Sequence, residues 1–198
     1  MKVRILLATM AIVGCGVAMA QENRFSAGLE LGVPMGDFGD GYGIGFGVSL
    51  GYEIPIGDNL GFMAQAGYIS FSGKDIEVLG VTIAEAEAAG LIPVQVGLKY
   101  YFSENQAGFY AGLLTGVHMQ SVKTIELTTT GFEESSEMQT NFGIAPLIGY
   151  VVGENIDLSL RYQMIFAEGV EVTATGVEET TVTNSYLGLR AAYMFGSR

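Results

Sequence analysis

Apolar and polar residues alternate with a period of two along eight stretches of the chain, which predicts eight β-strands with two unlike faces. The last stretch, T-N-S-Y-L-G-L-R-A-A-Y-M-F, shows the pattern best. The odd-numbered residues, from Ser185 through two leucines to Tyr193 and Phe195, are mostly apolar. The even-numbered residues include glycine, polar residues and Arg190. The predicted strands are residues 25–33, 42–53, 60–71, 91–102, 108–118, 138–152, 156–166 and 183–195.

The segments between these strands are alternately long and short along the chain. This order favours an all-β fold, an eight-stranded antiparallel up-and-down barrel. Tight turns at one end and long loops at the other are the arrangement of transmembrane barrels in outer membranes. The strands also have about the length, ~9–11 residues, that a tilted strand needs to cross the hydrocarbon layer.

The polarity of the two faces distinguishes a membrane barrel from a soluble, lipocalin-like carrier. With the apolar face inward, the lumen would have to hold about fifteen aromatic rings, whereas an eight-stranded barrel has an interior that side chains only just fill. With that face outward, the rings form two belts, as the two interfaces of a bilayer select. The belt at the short-turn end holds Phe25, Tyr52, Phe62, Tyr100, Phe102, Phe109, Tyr150, Tyr193 and Phe195, and the belt toward the long loops holds Tyr42, Phe46, Tyr68, Phe142 and Phe166.

Two of the long segments keep alternating beyond the membrane strands, in residues 122–128 and 170–175. We therefore expect protruding extracellular hairpins with tips at Thr130-Gly131 and Thr175-Gly176. Residues 34–41 are expected to form a turn-rich loop, and residues 82–90 contain Ala and Glu that favour a short helical turn.

Pro146 lies inside the sixth predicted strand, where a closed barrel leaves no free edge for a residue without an N–H group. A bulge or a local break is therefore expected there. Pro93 is easier to accommodate because it lies near the start of its strand.

Six charged residues fall on the inward parity of the strands and predict a lumen charge cluster. They are Glu30, Glu53, Lys99, Asp157, Arg161 and Arg190. Buried charges must pair, because an isolated one costs several kcal/mol. Two interpretations remain open: a structural plug of salt bridges, or a narrow water path whose charges exchange partners.

Residues 1–20 resemble a signal peptide, with Lys2 and Arg4, an apolar run and Ala18-Met19-Ala20, and residues 21–198 form the barrel domain. Cys15 follows Ile12-Val13-Gly14 in a lipobox-like context, so lipidation there is the alternative to a discarded signal. The net charge of −12 argues against nucleic acid as a partner.

The outer segments are strongly acidic, with fourteen carboxylates and only Lys74 and Lys123 as bases. The acids are Asp37, Asp40, Asp75, Glu77, Glu85, Glu87, Glu126, Glu133, Glu134, Glu137, Glu168, Glu171, Glu178 and Glu179. They suit divalent cations or a basic extracellular ligand, or they simply keep the surface solvated. No spacing among them forms a recognised calcium loop, so no metal site is predicted.

His118 is the single histidine, and with Ser121 and Glu126 it is the one candidate for general base catalysis. No motif accompanies it, and we expect neither catalytic residues nor a cofactor.

The chain resembles the OmpA/OmpX-type family of small eight-stranded outer-membrane barrels over residues 21–198, through its topology, its aromatic belts and the ending L-G-L-R-A-A-Y-M-F. That ending is similar to the signal read by the barrel-assembly machinery, although Gly196-Ser197-Arg198 follow it here. The resemblance implies a monomer in the outer membrane of a Gram-negative bacterium, in contact with its lipid. It leaves open a non-enzymatic barrel for envelope integrity or adhesion, with a narrow porin-like channel as the alternative.

Overall fold

The computed structural model describes residues 23–74, 76–78, 81–84, 88–103, 106–128, 131–153, 155–173 and 176–195. The signal peptide expected at residues 1–20, with Cys15, lies outside the described residues, as does the first residue of each expected hairpin tip, Thr130 and Thr175.

Ten strands and one short helix make up the described chain. They are β1 (Arg24–Met35), α1 (Asp37–Gly41), β2 (Tyr42–Pro55), β3 (Leu60–Gly73), β4 (Ile76–Val78), β5 (Val81–Ala84), β6 (Ala89–Tyr101), β7 (Gly108–Thr128), β8 (Gly131–Val152), β9 (Ile156–Thr173) and β10 (Gly176–Phe195). Eight of the strands close into one barrel in the order β1-β10-β9-β8-β7-β6-β3-β2, while β4 and β5 pair separately. No helix in the described ranges has the length and hydrophobicity to cross a bilayer. The predicted closed, antiparallel, up-and-down barrel is therefore confirmed.

The register of the strands fixes the tilt of the barrel. Following the pairing once around the barrel from Phe25 returns to β1 at Met35, ten residues further along. The pairs in turn are Phe25–Tyr52, Tyr52–Ala64, Ala64–Val96, Val96–Thr115, Thr115–Ile144, Ile144–Met164, Met164–Ser185 and Ser185–Met35. With the usual rise and spacing of strands, this stagger gives a tilt of about 40° and an axial rise of about 2.5 Å per residue.

Two aromatic belts surround the barrel at the heights that the sequence predicts. On β8 and its neighbours, Phe142 stacks on Phe166 at 6.4 Å near the outer end, and Phe109 meets Tyr150 at 4.6 Å near the inner end. Phe142 and Tyr150 are eight residues apart on β8, which is about 20 Å along the axis at the rise derived above. This agrees with the ~25 Å apolar band of outer-membrane barrels.

Tyr42 is the exception to the outer belt. The pairing of β2 with β3 shifts register between Tyr42 and Gly45. A bulge of this kind reverses which residues face inward beyond it. Tyr42 accordingly packs at 5.0 Å against Phe38 of α1 instead of lying in the lipid-facing belt. Its assignment to the belt was wrong for this reason.

Two of the expected loops also differ. Residues 34–41 hold the end of β1 and the helix Asp37–Gly41, where a turn-rich loop is expected. Residues 82–84 belong to β5 and 89–90 to β6, so the helical turn is wrong there, and 85–87 lie outside the described residues. Pairing between β4 and β5 outweighs the modest helix preference of Ala and Glu.

Pro146 breaks the ladder without producing a bulge. The pairing of β8 with β9 stops at Ile144 and resumes at Leu147 in unchanged register. On the other side, Leu113 of β7 still pairs with Pro146. The expected local break is confirmed and the bulge is not, because one missing N–H group can be omitted from one ladder without inserting a residue. Pairing of β3 with β6 is interrupted in the same way at Pro93.

Two hairpins extend well beyond the outer belt. The ladder of β7 with β8 continues to the pair Thr128–Gly131, and that of β9 with β10 to the pair Thr173–Gly176. Gly131 is eleven residues above Phe142 on β8, or about 27 Å at the derived rise. The described pairing between β8 and β9 begins only at Phe142 and Phe166. Above that level, the described parts of β8 and β9 therefore present strand edges that do not pair with each other.

β6 and β7 approach each other so closely at Gly97 that this position has no room for a side chain. A Cβ at Gly97 would collide with the carbonyl oxygen of Leu113, whereas nothing lies within 4 Å of a Cβ at Gly57 in an inner turn. We expect Gly97→Ala to lower the free energy of unfolding in vesicles by about 1–3 kcal/mol, and Gly57→Ala to change it by less than about 0.5 kcal/mol. Urea titrations followed by gel mobility measure both, and equal effects would contradict the packing described for Gly97.

Candidate functional site

The lumen holds the six charges that the sequence places there, and none is more than 5% exposed. Lys99 joins two carboxylates in the inner half of the barrel: its Nζ lies 2.9 Å from Asp157 Oδ2 and 3.1 Å from Glu53 Oε2. Tyr101 donates to Glu53 Oε1 at 2.6 Å, and Tyr110 donates to Asp157 Oδ1. Lys99 Nζ also lies 4.4 Å from the centre of the Tyr110 ring, so its charge is enclosed by oxygens and one aromatic face.

Glu30 organises the middle of the lumen. Arg161 Nη2 lies 3.0 Å from Glu30 Oε2, and Arg190 Nε lies 3.5 Å from Glu30 Oε1. Gln65 donates to the same Oε1 atom at 2.9 Å. Glu30 and Arg190 are paired residues of β1 and β10, so the contact that closes the barrel also places this ion pair.

Arg190 connects the middle of the lumen to the inner half. Its Nη1 lies 3.5 Å from Asp157 Oδ2, and it also donates to the hydroxyls of Ser49 and Ser26 at 2.8 Å each. The six predicted lumen charges thus form one continuous network.

Arg24 is a seventh member of the network that the sequence reasoning missed. Its Nη1 lies 3.7 Å from Glu53 Oε1, and its Nη2 donates to Gln106 Oε1 at 2.7 Å. The alternation pattern does predict an inward position for Arg24, because it has the same parity as Glu30 and directly precedes the first predicted strand. With Arg24 included, the described lumen holds four bases and three acids.

Packed side chains close the lumen on both sides of the network. The inner cluster consists of Met63, Tyr101, Tyr110, Leu114, Ala145, Leu147, Val151 and Met194. The outer cluster consists of Phe38, Ile69, Phe71, Leu91, Ile165 and Tyr186. In the outer cluster, Phe71 lies 5.1 Å from Phe38 and 5.3 Å from Tyr186, edge to face. The cavity beside Lys99 and Arg24 has a volume of about 10 Å³, room for about one water molecule.

His118 lies in the lumen, away from the serine suggested as its partner. His118 is fully buried, and its ring packs over Gly143, where a Cβ would lie 2.6 Å from Cε1. Ser121 has the opposite parity and is exposed, like the lipid-facing Val117. Because a strand points alternate residues to opposite faces, His118 and Ser121 lie on different sides of the barrel wall. Glu126 is on the protruding part of β7, eight residues from His118.

Metal ligands do not cluster in the part of the chain that the structure describes: no group of three or more His, Cys, Asp or Glu is positioned to hold an ion there. Most of the hairpin carboxylates considered for divalent cations lie outside the described side chains.

The sequence matches the family described as the outer membrane protein beta-barrel domain over residues 5–195. The chain belongs to this family. It is therefore an integral protein of the Gram-negative outer membrane, surrounded by lipid, and the resemblance to small outer-membrane barrels is confirmed.

Solved structures of other outer-membrane barrels share the fold of this family member. OprG from Pseudomonas aeruginosa is 18% identical, with 89% of this chain and 96% of that chain covered and a TM-score of 0.55. Ail, the attachment invasion locus protein of Yersinia pestis, is 15% identical, with 89% and 100% covered and a TM-score of 0.54. Neisserial surface protein A is 16% identical, with 89% and 100% covered and a TM-score of 0.51. No curated protein sequence matches this chain.

The position of Lys99 between two carboxylates predicts a large effect of its removal. We expect Lys99→Met to lower the free energy of unfolding by about 3–5 kcal/mol, because it leaves buried carboxylates without their partner. The same substitution at the exposed Lys74 should change the free energy of unfolding by less than about 0.5 kcal/mol.

A double-mutant cycle with Asp157→Asn measures how directly Lys99 and Asp157 interact. The double variant should be less destabilised than the sum of the single variants by about 1–3 kcal/mol. Additive effects in urea titrations would contradict the ion pair.

Proposed function

We propose that this outer-membrane barrel is a non-enzymatic surface protein that serves adhesion or envelope integrity through its acidic extracellular hairpins. The observation that supports this most strongly is the contrast between a packed lumen and tall hairpins with open strand edges. As a working proposal, the barrel acts as a monomer inserted by the barrel-assembly machinery after its signal peptide is removed.

The packed lumen argues that the interior serves stability. Seven paired charges lie between two clusters of buried side chains, and the cavity beside Lys99 and Arg24 holds about one water. A non-enzymatic role is supported by His118, the one catalytic candidate, which lies on the side of the barrel wall opposite to Ser121.

The hairpins offer both a backbone and a charge for recognition. The edges of β8 and β9 above Phe142 and Phe166 can accept an extended segment by strand addition. The outer segments carry fourteen acids against two bases in the sequence, which favours a basic partner. Ail was solved with the heparin analogue sucrose octasulfate, a polyanion. A polyanion requires a basic surface, whereas the outer segments of the present chain are acidic.

Shortening the taller hairpin tests this proposal. Replacing residues 123–136 by an Asn-Gly turn keeps the described ladder up to the pair Val122–Glu137. We expect the shortened barrel to fold normally and to lose at least about tenfold in affinity for a basic extended peptide, or for host cells or matrix, because it loses a strand edge and three carboxylates.

The hairpin of β9 and β10 offers a matched control. Removing residues 169–180 shortens a neighbouring acidic hairpin that has an edge of its own. Equal binding by the intact barrel and both shortened barrels, each shown to be folded by heat-modifiable gel mobility, would contradict the proposal.

A narrow channel is the second candidate, and the geometry of Arg190 favours it. Arg190 lies 3.5 Å from both Glu30 and Asp157, longer than a charge-assisted hydrogen bond of ~2.7–2.9 Å. A guanidinium shared between two carboxylates at this distance is suited to exchanging partners, which is one way in which a plugged lumen opens.

Single-channel recording of the refolded barrel separates the two candidates. For a surface protein with a closed lumen, we expect a silent planar bilayer for the wild type. Steady openings that change in Arg161→Ala, which removes a partner of Glu30, would instead establish the channel.

A further inference from the structure

The basic residues of the barrel lie mainly inside it. Residues 21–198 contain seven, and four of them, Arg24, Lys99, Arg161 and Arg190, are buried in the lumen and paired with carboxylates. Lys74 is exposed, but its Nζ donates to the carbonyl of Gly39 on α1. The cations of the described barrel are therefore mostly directed to the lumen and not to the surrounding lipid.

The outward face just above the outer aromatic belt carries hydroxyl groups. Thr183 of β10 pairs with Phe166 and therefore lies at the height of the belt. Thr181 and Thr140 lie two residues further out than Thr183 and Phe142, on the same outward parity, and all three threonines are exposed. Ser72 of β3 is also exposed, and it lies four residues beyond Tyr68 on the same outward face. We name Ser72, Thr140, Thr181 and Thr183 the hydroxyl rim.

The hydroxyl rim lies where a barrel meets the lipid headgroups of the outer leaflet. A lysine or arginine near an anionic lipid surface contributes about 1 kcal/mol of attraction, and these hydroxyls contribute none of it. The neighbouring exposed charges on α1 are Asp37 and Asp40, which repel phosphate. The threonine hydroxyls can still donate and accept hydrogen bonds with sugar or zwitterionic headgroups, and the Ser72 hydroxyl, which donates to the carbonyl of Ile44 at 3.3 Å, can accept them.

We propose that the hydroxyl rim is matched to an outer headgroup layer of hydroxyl-bearing or zwitterionic groups, and that phosphate charge at this level must be neutralised by ions from solution. This inference concerns the lipid that surrounds the barrel and does not depend on what the hairpins bind.

The test compares the refolded full chain in two kinds of vesicle at about 0.1 M salt, where the Debye length is ~10 Å. One kind is pure dilauroylphosphatidylcholine, whose thin bilayer suits the short apolar band, and the other includes roughly one third dilauroylphosphatidylglycerol. We expect the unfolding equilibrium constant to be about fivefold higher in the anionic vesicles, because the lipid repels an acidic residue such as Asp37 or Asp40 about as strongly as it attracts one lysine. Either Mg²⁺ or ~1 M salt, where the Debye length is 3 Å, should remove the difference.

Adding cations to the hydroxyl rim should reverse this preference. The double substitution Thr181→Lys with Thr183→Lys should lower the unfolding constant in anionic vesicles by about fivefold per lysine, relative to its own value in phosphatidylcholine. Glu133→Lys makes the same change of two charges nine residues above Phe142 on β8, about 22 Å away and beyond the Debye length. This control should remain as sensitive to phosphatidylglycerol as the wild type.

Three results would overturn the proposal. The first is a wild-type barrel equally stable in both kinds of vesicle at about 0.1 M salt. The second is a difference that Mg²⁺ and high salt leave unchanged, which would assign it to bilayer packing. The third is equal rescue by Glu133→Lys, which would assign the effect to net charge. The wild-type comparison stands even if the lysine variants refold poorly.

Discussion

Closure of the hydrogen-bonded sheet is the constraint on which the rest of this structure depends. Hydrocarbon offers no partner to a backbone N–H or C=O group, so a strand that crosses a membrane must be paired on both sides. The ten-residue stagger, running from Phe25 back to Met35, is the geometric form that closure takes here. Even Pro146, which cannot donate, is accommodated by leaving a gap in one ladder while the register continues past it.

Closure also determines what the interior can contain. Eight strands enclose a space that side chains nearly fill, and here charged side chains fill its centre. Arg190 and Glu30 face each other across the seam between β1 and β10, so the network joins the first and last strands. One partner in such a network is costly to remove, although the network as a whole need not be more stable than an apolar core. Its position favours a role in fixing the register at the seam.

The interior and the exterior of the barrel thus differ in charge, with most of the bases inside and most of the acids outside. Four bases lie in the lumen with three acids, while the segments outside the membrane carry most of the remaining carboxylates. This division leaves the outward wall between the belts apolar, with exposed hydroxyls at the outer belt, on Thr183, and just above it, on Thr140 and Thr181. The proposed contacts with partners are the hydroxyl rim, at the level of the headgroups, and the tall hairpins, in the medium beyond them.

The sequence alone determined the eight strands, the closed barrel, the two aromatic belts and six of the seven lumen charges, because a period of two is a local property that each strand displays in its own residues. Only the tertiary structure decided the features that depend on contacts between strands. The bulge near Gly45 that turns Tyr42 inward, the contact of Phe38 with Phe71, the link from Arg190 to Asp157 and the separation of His118 from Ser121 by the barrel wall are of this kind. They follow from register and stagger, which relate residues far apart in the chain, and no local pattern of alternation specifies them.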